Sequence, residues 1–170
     1  MIEASLRSQV LEIMSQVEGT FGLVIRTVDT GEEVEVNGDE PFPAASIIKL
    51  PILVETLRQK IEKGLSLDER ITLREEDKVG GSGVLKEMTP GLALPLADVL
   101  TLMIVVSDDV AANILINRIG MNNVNLYMRH LGLQKSVLQR KLMDFEARRR
   151  GLDNITSPGD MADLLQKLVT

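Results

Sequence analysis

Apolar residues recur at helical spacing along most of this chain. Over residues 2–18 they return every three or four positions and stop before Gly19, which predicts an amphipathic helix. The same spacing over residues 44–63 predicts a second helix, closed by Gly64. Residues 94–106 are apolar nearly all round, which predicts a buried helix. Three further helices are predicted, over residues 109–120, 122–132 and from about 157 to 170.

Polar residues at two helix starts predict how those helices are capped. Asn122 or Asn123 is expected to cap the 122–132 helix. Thr156 or Ser157 is expected to cap the last helix, with Pro158 in its first turn.

One stretch alternates in the manner of β-strands. Residues 20–28 and 32–38 flank the turn sequence "DTG", which predicts a hairpin. An isolated hairpin is at best marginally stable in water, so its strands need sheet neighbours or covering helices. The last helix reaches Thr170 without a stop signal. We therefore expect the sequence to be cut short.

The composition narrows the range of partners and sites. The chain of 170 residues is 44% hydrophobic and carries a net charge of −6, which indicates a globular protein and argues against nucleic-acid or membrane partners. It has no cysteine, so thiol nucleophiles, disulfides and cysteine-based zinc sites are excluded. We expect no metal ion and no cofactor. The N-terminus lacks the pattern of a signal peptide, so the chain as written is expected to be cytoplasmic, or extracytoplasmic if a leader was removed.

A serine and a lysine three positions apart open the second helix. In "FPAASIIKLPI" Ser46 and Lys49 would share one helix face, where the lysine amine can reach the serine hydroxyl. A desolvated lysine can accept the proton of a serine nucleophile, although serine as a cap and lysine as a solvated side chain is the commoner arrangement. Pro51 cannot donate to the carbonyl of Ile47, so a bend or a late helix start is expected. The one histidine, His130, is expected at a surface helix end and so leaves lysine as the candidate base.

Two later segments add candidate chemistry. In "VVSDDVAANIL" Ser107 is a possible proton bridge, and a neighbouring carboxylate either holds Lys49 or a substrate amide, or caps the next helix. The polar stretch before "ITSPGDMADLL" carries two candidate bases, Asp144 and Glu146, which are otherwise ordinary helix-surface acids.

The order and spacing of these segments resemble the class A β-lactamases and the wider penicillin-recognising serine hydrolases. "SIIK" resembles the nucleophile motif, "SDDVAANIL" the S-D-N segment, and "ITSPGDMA" the segment after the omega loop of that family. The resemblance implies Ser46 as the acylated nucleophile and Lys49 as its base or proton relay. It implies Ser107 as the proton donor to the leaving nitrogen, and the backbone N–H of Ser46 as one oxyanion donor.

The chain also departs from the family pattern. Asp109 stands where the family has asparagine, so substrate amide binding at this position is expected to differ, since a carboxylate only accepts hydrogen bonds. The position of the deacylating glutamate falls around residues 142–144, with Asp144 the nearest carboxylate and Glu146 the next. The K-T-G strand, the last sheet strands and the C-terminal helix of the family have no counterpart.

These observations predict an α+β, β-lactamase/DD-peptidase-like fold whose C-terminal strands are missing. Residues 1–65 are expected to form the N-terminal part of a sheet domain with the nucleophile helix, and residues 66–170 an all-helical subdomain. The expected activity is acyl transfer through Ser46 on β-lactam, amide or ester substrates, with a complementary C-terminal segment or second chain as partner. Two alternatives remain: a D-Ala-D-Ala peptidase or esterase with slow deacylation, and a non-catalytic binding module that kept the fold.

Overall fold

The computed structural model describes residues 2–169, with side chains from residue 5 on. Helices dominate this part of the chain, and they are joined by short antiparallel strand pairs. The helices are α1 (Ile2–Met14), α2 (Lys49–Lys63), α3 (Leu96–Val105), α4 (Asp109–Ile119), α5 (Met121–His130), α6 (Phe145–Arg149) and α7 (Pro158–Val169). The strands are β1 (Leu23–Arg26), β2 (Glu33–Val36), β3 (Phe42–Pro43), β4 (Arg70–Thr72), β5 (Ala93–Pro95) and β6 (Ile155–Thr156).

The predicted hairpin is confirmed as β1 paired with β2, in a register that places Leu23 opposite Val36. Helices supply the covering that two strands need, since α1 contacts β2 and α7 contacts β1. The guanidinium of Arg26 fixes α7 to the hairpin, because it donates to Asp163 at 2.7 Å and to Gln166 at 2.6 Å.

The 66–170 part of the chain contains strands as well as helices. β4 pairs with β5 inside it, and β6 pairs with β3, which directly precedes the segment that carries Ser46. The structure therefore departs from an all-helical description of this part. The reason is that short extended segments with few alternating residues carry a weak sequence signal. The boundary at residue 65 stays a prediction.

The core is centred on α4, whose apolar residues are nearly all buried. α2, α3 and α5 pack around it. The prediction that residues 94–106 are buried all round is wrong for their C-terminal end, because Val105 is 74% exposed and Ile104 and Val106 are also exposed. The contacts of α3 with α2, α4 and β5 bury Leu96, Val99, Leu100 and Met103 but leave its C-terminal end exposed, so apolar composition alone overstated its burial.

The predicted end of α2 and the predicted start of α7 are confirmed, and the predicted start of α5 is not. Gly64 ends α2 in the left-handed conformation, and the hydroxyl of Ser157 accepts the N–H of Asp160 at the start of α7, as predicted. Neither candidate asparagine caps α5, which starts after Gly120. Asn123 instead donates to the carbonyl of Ile119, the last residue of α4. Only Gly120 separates α4 from α5, so the carbonyl of Ile119 lies within hydrogen-bond distance of the Asn123 side chain.

Truncating a buried residue of α2 is expected to destabilise the protein far more than truncating an exposed one. Ile52 is fully buried and Ile61 is 81% exposed on the same helix. We expect Ile52→Ala to lower the free energy of unfolding by about 2–5 kcal/mol. The matched control Ile61→Ala is expected to change it by less than about 0.5 kcal/mol. Urea denaturation measures both; equal effects would contradict this description of the core.

Candidate active site

Ser46 lies in a short 3-10 turn, Ala45–Ile48, that leads directly into α2. The α-helix begins only at Lys49, which confirms the late start predicted from Pro51. The backbone before the turn is anchored, since the N–H of Ala44 donates to the carbonyl of Asn154 at 2.8 Å. Ala45 has a φ of 44°, a conformation that costs an L-residue energy and that the surrounding structure must impose. The hydroxyl of Ser46 is thereby held at the surface, ahead of a rigid helix.

Ser107 lies in the connection between α3 and α4, also in a strained conformation. Its φ is 53°, and the N–H of the next residue, Asp108, returns to the carbonyl of Leu102 at 3.2 Å. Non-glycine residues with positive φ are uncommon and concentrate at functional sites. The sharp turn presents both the carbonyl and the hydroxyl of Ser107 to Lys49.

Lys49 joins the elements of the site, although it is only 3% exposed. Its Nζ donates to the Ser107 carbonyl at 2.6 Å, to the Ser107 hydroxyl at 2.9 Å and to Oδ1 of Asp109 at 2.7 Å. The hydroxyl of Ser46 is the fourth neighbour, at 3.5 Å. An ammonium has three protons, so the three shorter contacts use all of them and leave Ser46 loosely held. The structure thus brings together four of the six predicted site residues.

Asp109 has both carboxylate oxygens occupied. Oδ1 forms the buried ion pair with Lys49, and Oδ2 accepts the backbone N–H of Ser82 at 2.9 Å. The backbone N–H of Asp109 donates to the carbonyl of Ser82 at 3.1 Å. Together with the bond to Oδ2, two hydrogen bonds link Asp109 to the glycine-rich loop of residues 80–83, "GGSG". The contacts seen support the reading of Asp109 as a holder of Lys49. Its assignment to substrate binding stays a prediction.

Asp108 is the second carboxylate of the motif and has a different task. It is fully buried, and it accepts backbone N–H groups from Val84, Leu85 and Ala111 at 2.7–3.0 Å. It is therefore the N-cap of α4, one of the two alternatives weighed for this acidic pair. It also ties the 83–85 backbone to that helix. The sequence could not show which aspartate caps and which pairs, because the two are adjacent.

The "GGSG" loop approaches both aspartates closely, which explains its glycines. A Cβ on Gly81 would overlap Oδ2 of Asp109, and one on Gly83 would overlap the carboxylate and the Cα of Asp108. Both glycines have positive φ, at 85° and 101°. Residues 80–83 therefore form a tightly bent loop that only glycine can build at positions 81 and 83.

Alanine at these two glycines is expected to cost more than at a glycine with the same backbone and free space. Gly91 is the matched control, because its φ is 93° and nothing lies within 4 Å of a Cβ there. All three variants lose about 1–2 kcal/mol of unfolding free energy for the left-handed backbone. Gly81→Ala and Gly83→Ala are expected to lose about 1–3 kcal/mol more from overlap with the aspartates. Equal losses in urea denaturation of the three variants would contradict the close approach.

Asp144 and Glu146, the two candidate bases, lie on α6 and its start. Oδ1 of Asp144 accepts the N–H of Ala147 at 2.9 Å and so caps this short helix. Glu146 is exposed in its first turn. Neither is among the hydrogen-bond or ion-pair partners of Lys49 in the described part of the chain. Their role as bases stays a prediction.

Three asparagines that the sequence analysis did not single out hold the segment that carries these acids, residues 134–154. Asn113 of α4 both accepts the N–H of Leu142 and donates to its carbonyl, at 2.8 and 3.0 Å. Asn125 of α5 does the same for Leu138. Asn154 accepts the N–H of Arg140 and donates to its carbonyl. An amide is needed at each position because it donates and accepts at once. The signal that could have identified Asn113 is a polar residue among the apolar residues of "VAANILI".

An ion pair between Arg140 and Asp153 links two parts of the same segment. Burial alone would raise the pKa of Asp153, but the hydrogen bond from Arg140, the N–H of Asn154 and the charges of Arg140 and Arg148 hold that pKa below its ordinary value. The ionised pair therefore stabilises the segment above the unfolded pKa of Asp153 and loses this contribution as the pH falls.

His130 ends α5, exposed, with its ring stacked on Tyr127 at a centroid distance of 5.8 Å. This agrees with its expected place at a surface helix end. No group of three or more histidine, cysteine or acidic side chains within the described residues could hold a metal ion. Across residues 2–169, helices long and apolar enough to cross a membrane are also absent.

Comparison of the chain with known proteins identifies the family that it matches. The profile of the Beta-lactamase enzyme family matches residues 5–170. Beta-lactamase L2 of Stenotrophomonas maltophilia is 27% identical over 155 residues, which are 90% of this chain and 51% of that protein. The chain spans about half the length of the curated relatives it matches.

Two solved structures share the fold closely. The β-lactamase from Sphaerobacter thermophilus has a TM-score of 0.88 at 34% identity, over 96% of this chain and 61% of that one. A leucine-to-glutamate variant of PBP-A, solved as an acyl-enzyme complex with penicillin G, has a TM-score of 0.87 at 33% identity, over 98% and 62% of the two chains.

Proposed function

The chain belongs to the Beta-lactamase enzyme family, and we propose that it performs acyl transfer through an ester formed on Ser46. Its α+β fold is part of the fold of β-lactamases and penicillin-binding proteins. The observation that carries the proposal is the position of one buried amine, Lys49 Nζ, beside the hydroxyls of both Ser46 and Ser107. The proposed substrates are β-lactams, amides or esters, in keeping with the penicillin G ester of the PBP-A variant.

In the proposed reaction Ser46 attacks the carbonyl carbon and gives up its proton to Lys49. The separation of 3.5 Å is long for this transfer, but hydrogen bonds of this kind are often long without substrate and shorten when it binds. Ser107, at 2.9 Å from the same amine, passes a proton to the leaving atom. One lysine thus serves both proton transfers because it lies between the two serines.

The tetrahedral intermediate needs donors for its oxyanion, each typically worth about 3 kcal/mol. The backbone N–H of Ser46 is the proposed first donor. We propose that the second comes from a complementary segment carrying the K-T-G strand, in the same polypeptide or in a second chain. Within the described residues, β1 pairs with one strand, β2, along one of its edges. The other edge of β1 can therefore accept such a strand.

Replacing the nucleophile is expected to abolish covalent labelling by a fluorescent penicillin. The test uses the protein with the K-T-G segment present and reads the label on a denaturing gel. Ser46→Ala is expected to give no label, because no other hydroxyl occupies the turn before α2. Ser66→Ala, at an exposed serine after that helix, is the matched control and is expected to label fully. A labelled Ser46→Ala protein rules out the assignment.

A second candidate function is penicillin binding with slow deacylation. It is favoured because Asp144 is engaged as a helix cap and Glu146 is exposed, so neither contacts the amine of Lys49. Deacylation by water requires a positioned base to take a proton from that water.

We therefore expect the acyl-enzyme to persist after excess penicillin is removed. Intact-mass measurement over time is the readout, with an adduct equal to the whole antibiotic. Loss of the adduct within seconds indicates an efficient β-lactamase and contradicts slow deacylation. No adduct with any β-lactam or activated ester favours a non-catalytic binding module.

A further inference from the structure

The ion pair of Lys49 and Asp109 raises a question about proton transfer that the proposed function leaves open. An ammonium cannot accept the proton of Ser46, because its nitrogen has no free lone pair. Lys49 must therefore first lose a proton to some acceptor. Within residues 5–169, Asp109 is the one carboxylate in salt-bridge contact with its amine, at 2.7 Å.

The contacts of Asp109 favour a proton-holding role over contact with substrate. A carboxylate cannot donate to a substrate carbonyl, as the amide of asparagine can. Oδ2 is occupied by the N–H of Ser82, and the glycine loop lies directly against it. Oδ1 faces the lysine. Asp109 is thus aimed at Lys49 and backed by protein on its other side.

We propose that Asp109 holds the proton of Lys49 during acylation, as a positioning residue that acts through Lys49; this rests on the proposed function of Ser46. A proton first moves from Nζ to Oδ1, which leaves a neutral amine and a carboxylic acid. Oγ of Ser46 then forms its bond to the substrate carbonyl carbon while its proton moves to Nζ.

The later steps return every proton. The bond from the carbonyl carbon to the leaving atom breaks, and that atom takes a proton from Ser107, which takes one from Lys49. Asp109 then returns its proton to the neutral amine, which restores the ion pair. The net change is one new ester on Ser46 and one proton moved from Ser46 to the leaving group, with no oxidant, reductant or further reactant.

Burial makes this exchange feasible. The side chains of Lys49 and Asp109 are 3% and 7% exposed and lie 2.7 Å apart, so the proton moves a short distance between two groups that little water reaches. The neighbouring Asp108 does not compete for the proton of Lys49, since its oxygens accept three backbone N–H groups. Other ionisable groups on the surrounding segments include Glu55 on α2, Lys86 and Glu87 after the glycine loop, Asp98 on α3, and Lys141, Asp144 and Glu146 around Met143.

Three of these groups already have hydrogen-bond partners. Glu55 accepts from Arg58 and Gln59 on its own helix, Lys86 donates to the carbonyl of Gly81, and Asp144 caps α6. The acylation rate is therefore expected to depend on the carboxylate of Asp109. Without that carboxylate, acylation requires a lysine that has already lost its proton, so the same rate is expected only at a higher pH.

Asp109→Asn tests the proposal and also restores the asparagine of the family. We expect stoichiometric labelling of Ser46 to remain, with an acylation rate at pH 7 roughly 10²-fold lower, as for loss of one proton-transfer group. The ascending limb of the pH–rate profile is expected to shift to higher pH. Stopped-flow labelling with a chromogenic cephalosporin measures both, and Ser66→Ala serves as the control.

The outcomes separate this inference from the proposed function. Equal rates and an unshifted profile for Asp109→Asn overturn the role of Asp109 and leave Ser46 as nucleophile. If the unmodified protein is not labelled, both the role of Asp109 and the proposed function of Ser46 are ruled out. If Asp109→Asn does not fold, the profile of the unmodified protein decides: a rate that rises only above about pH 9, as for an ordinary lysine, overturns the proposal.

Discussion

One buried ammonium holds the functional region of this protein together. Lys49 lies on α2, its carboxylate partner lies on α4, and its other partners are the carbonyl and hydroxyl of the turn between α3 and α4. A buried charge is tolerated only when it is paired and fully hydrogen-bonded, and removal of one partner typically costs about 3–5 kcal/mol. The contacts of this one nitrogen therefore link α2 to α4 and to the turn before it, in addition to their apolar packing.

The backbone strain in the site follows from that requirement. Ala45 and Ser107 both have positive φ, the first directly before Ser46 and the second at the start of the turn into α4. The strain persists because the neighbouring backbone is anchored, at Ala44 by Asn154 and after Ser107 by the cap at Asp108. Asp109 extends the same network into the glycine loop, which must lack side chains to come this close. The position of Lys49 and the shape of the surrounding loops therefore depend on each other.

Much of the local structure was predictable from the chain alone. The hairpin, the glycine ends of α2 and α4, the cap at Ser157 and the late start of α2 before Pro51 all depend on a few adjacent residues. The pairing of Ser46 with Lys49 was also within reach, because three positions along a helical turn place them on one side. The exposed end of α3 and the strands within residues 66–170 could not be predicted from the sequence, because each depends on which surfaces other elements cover.

The sequence by itself determined the segment that carries Ser46 and Lys49, the order of the motifs and the family, because these are properties of residue type and spacing. Only the tertiary structure decided what the acids do. Asp108 and Asp109 are adjacent and chemically identical, yet one caps α4 and the other pairs with Lys49, since successive side chains at a helix start point in different directions. Asp144 became a cap and three asparagines became anchors for the same reason: a polar group takes its role from the partners that folding brings within about 3 Å.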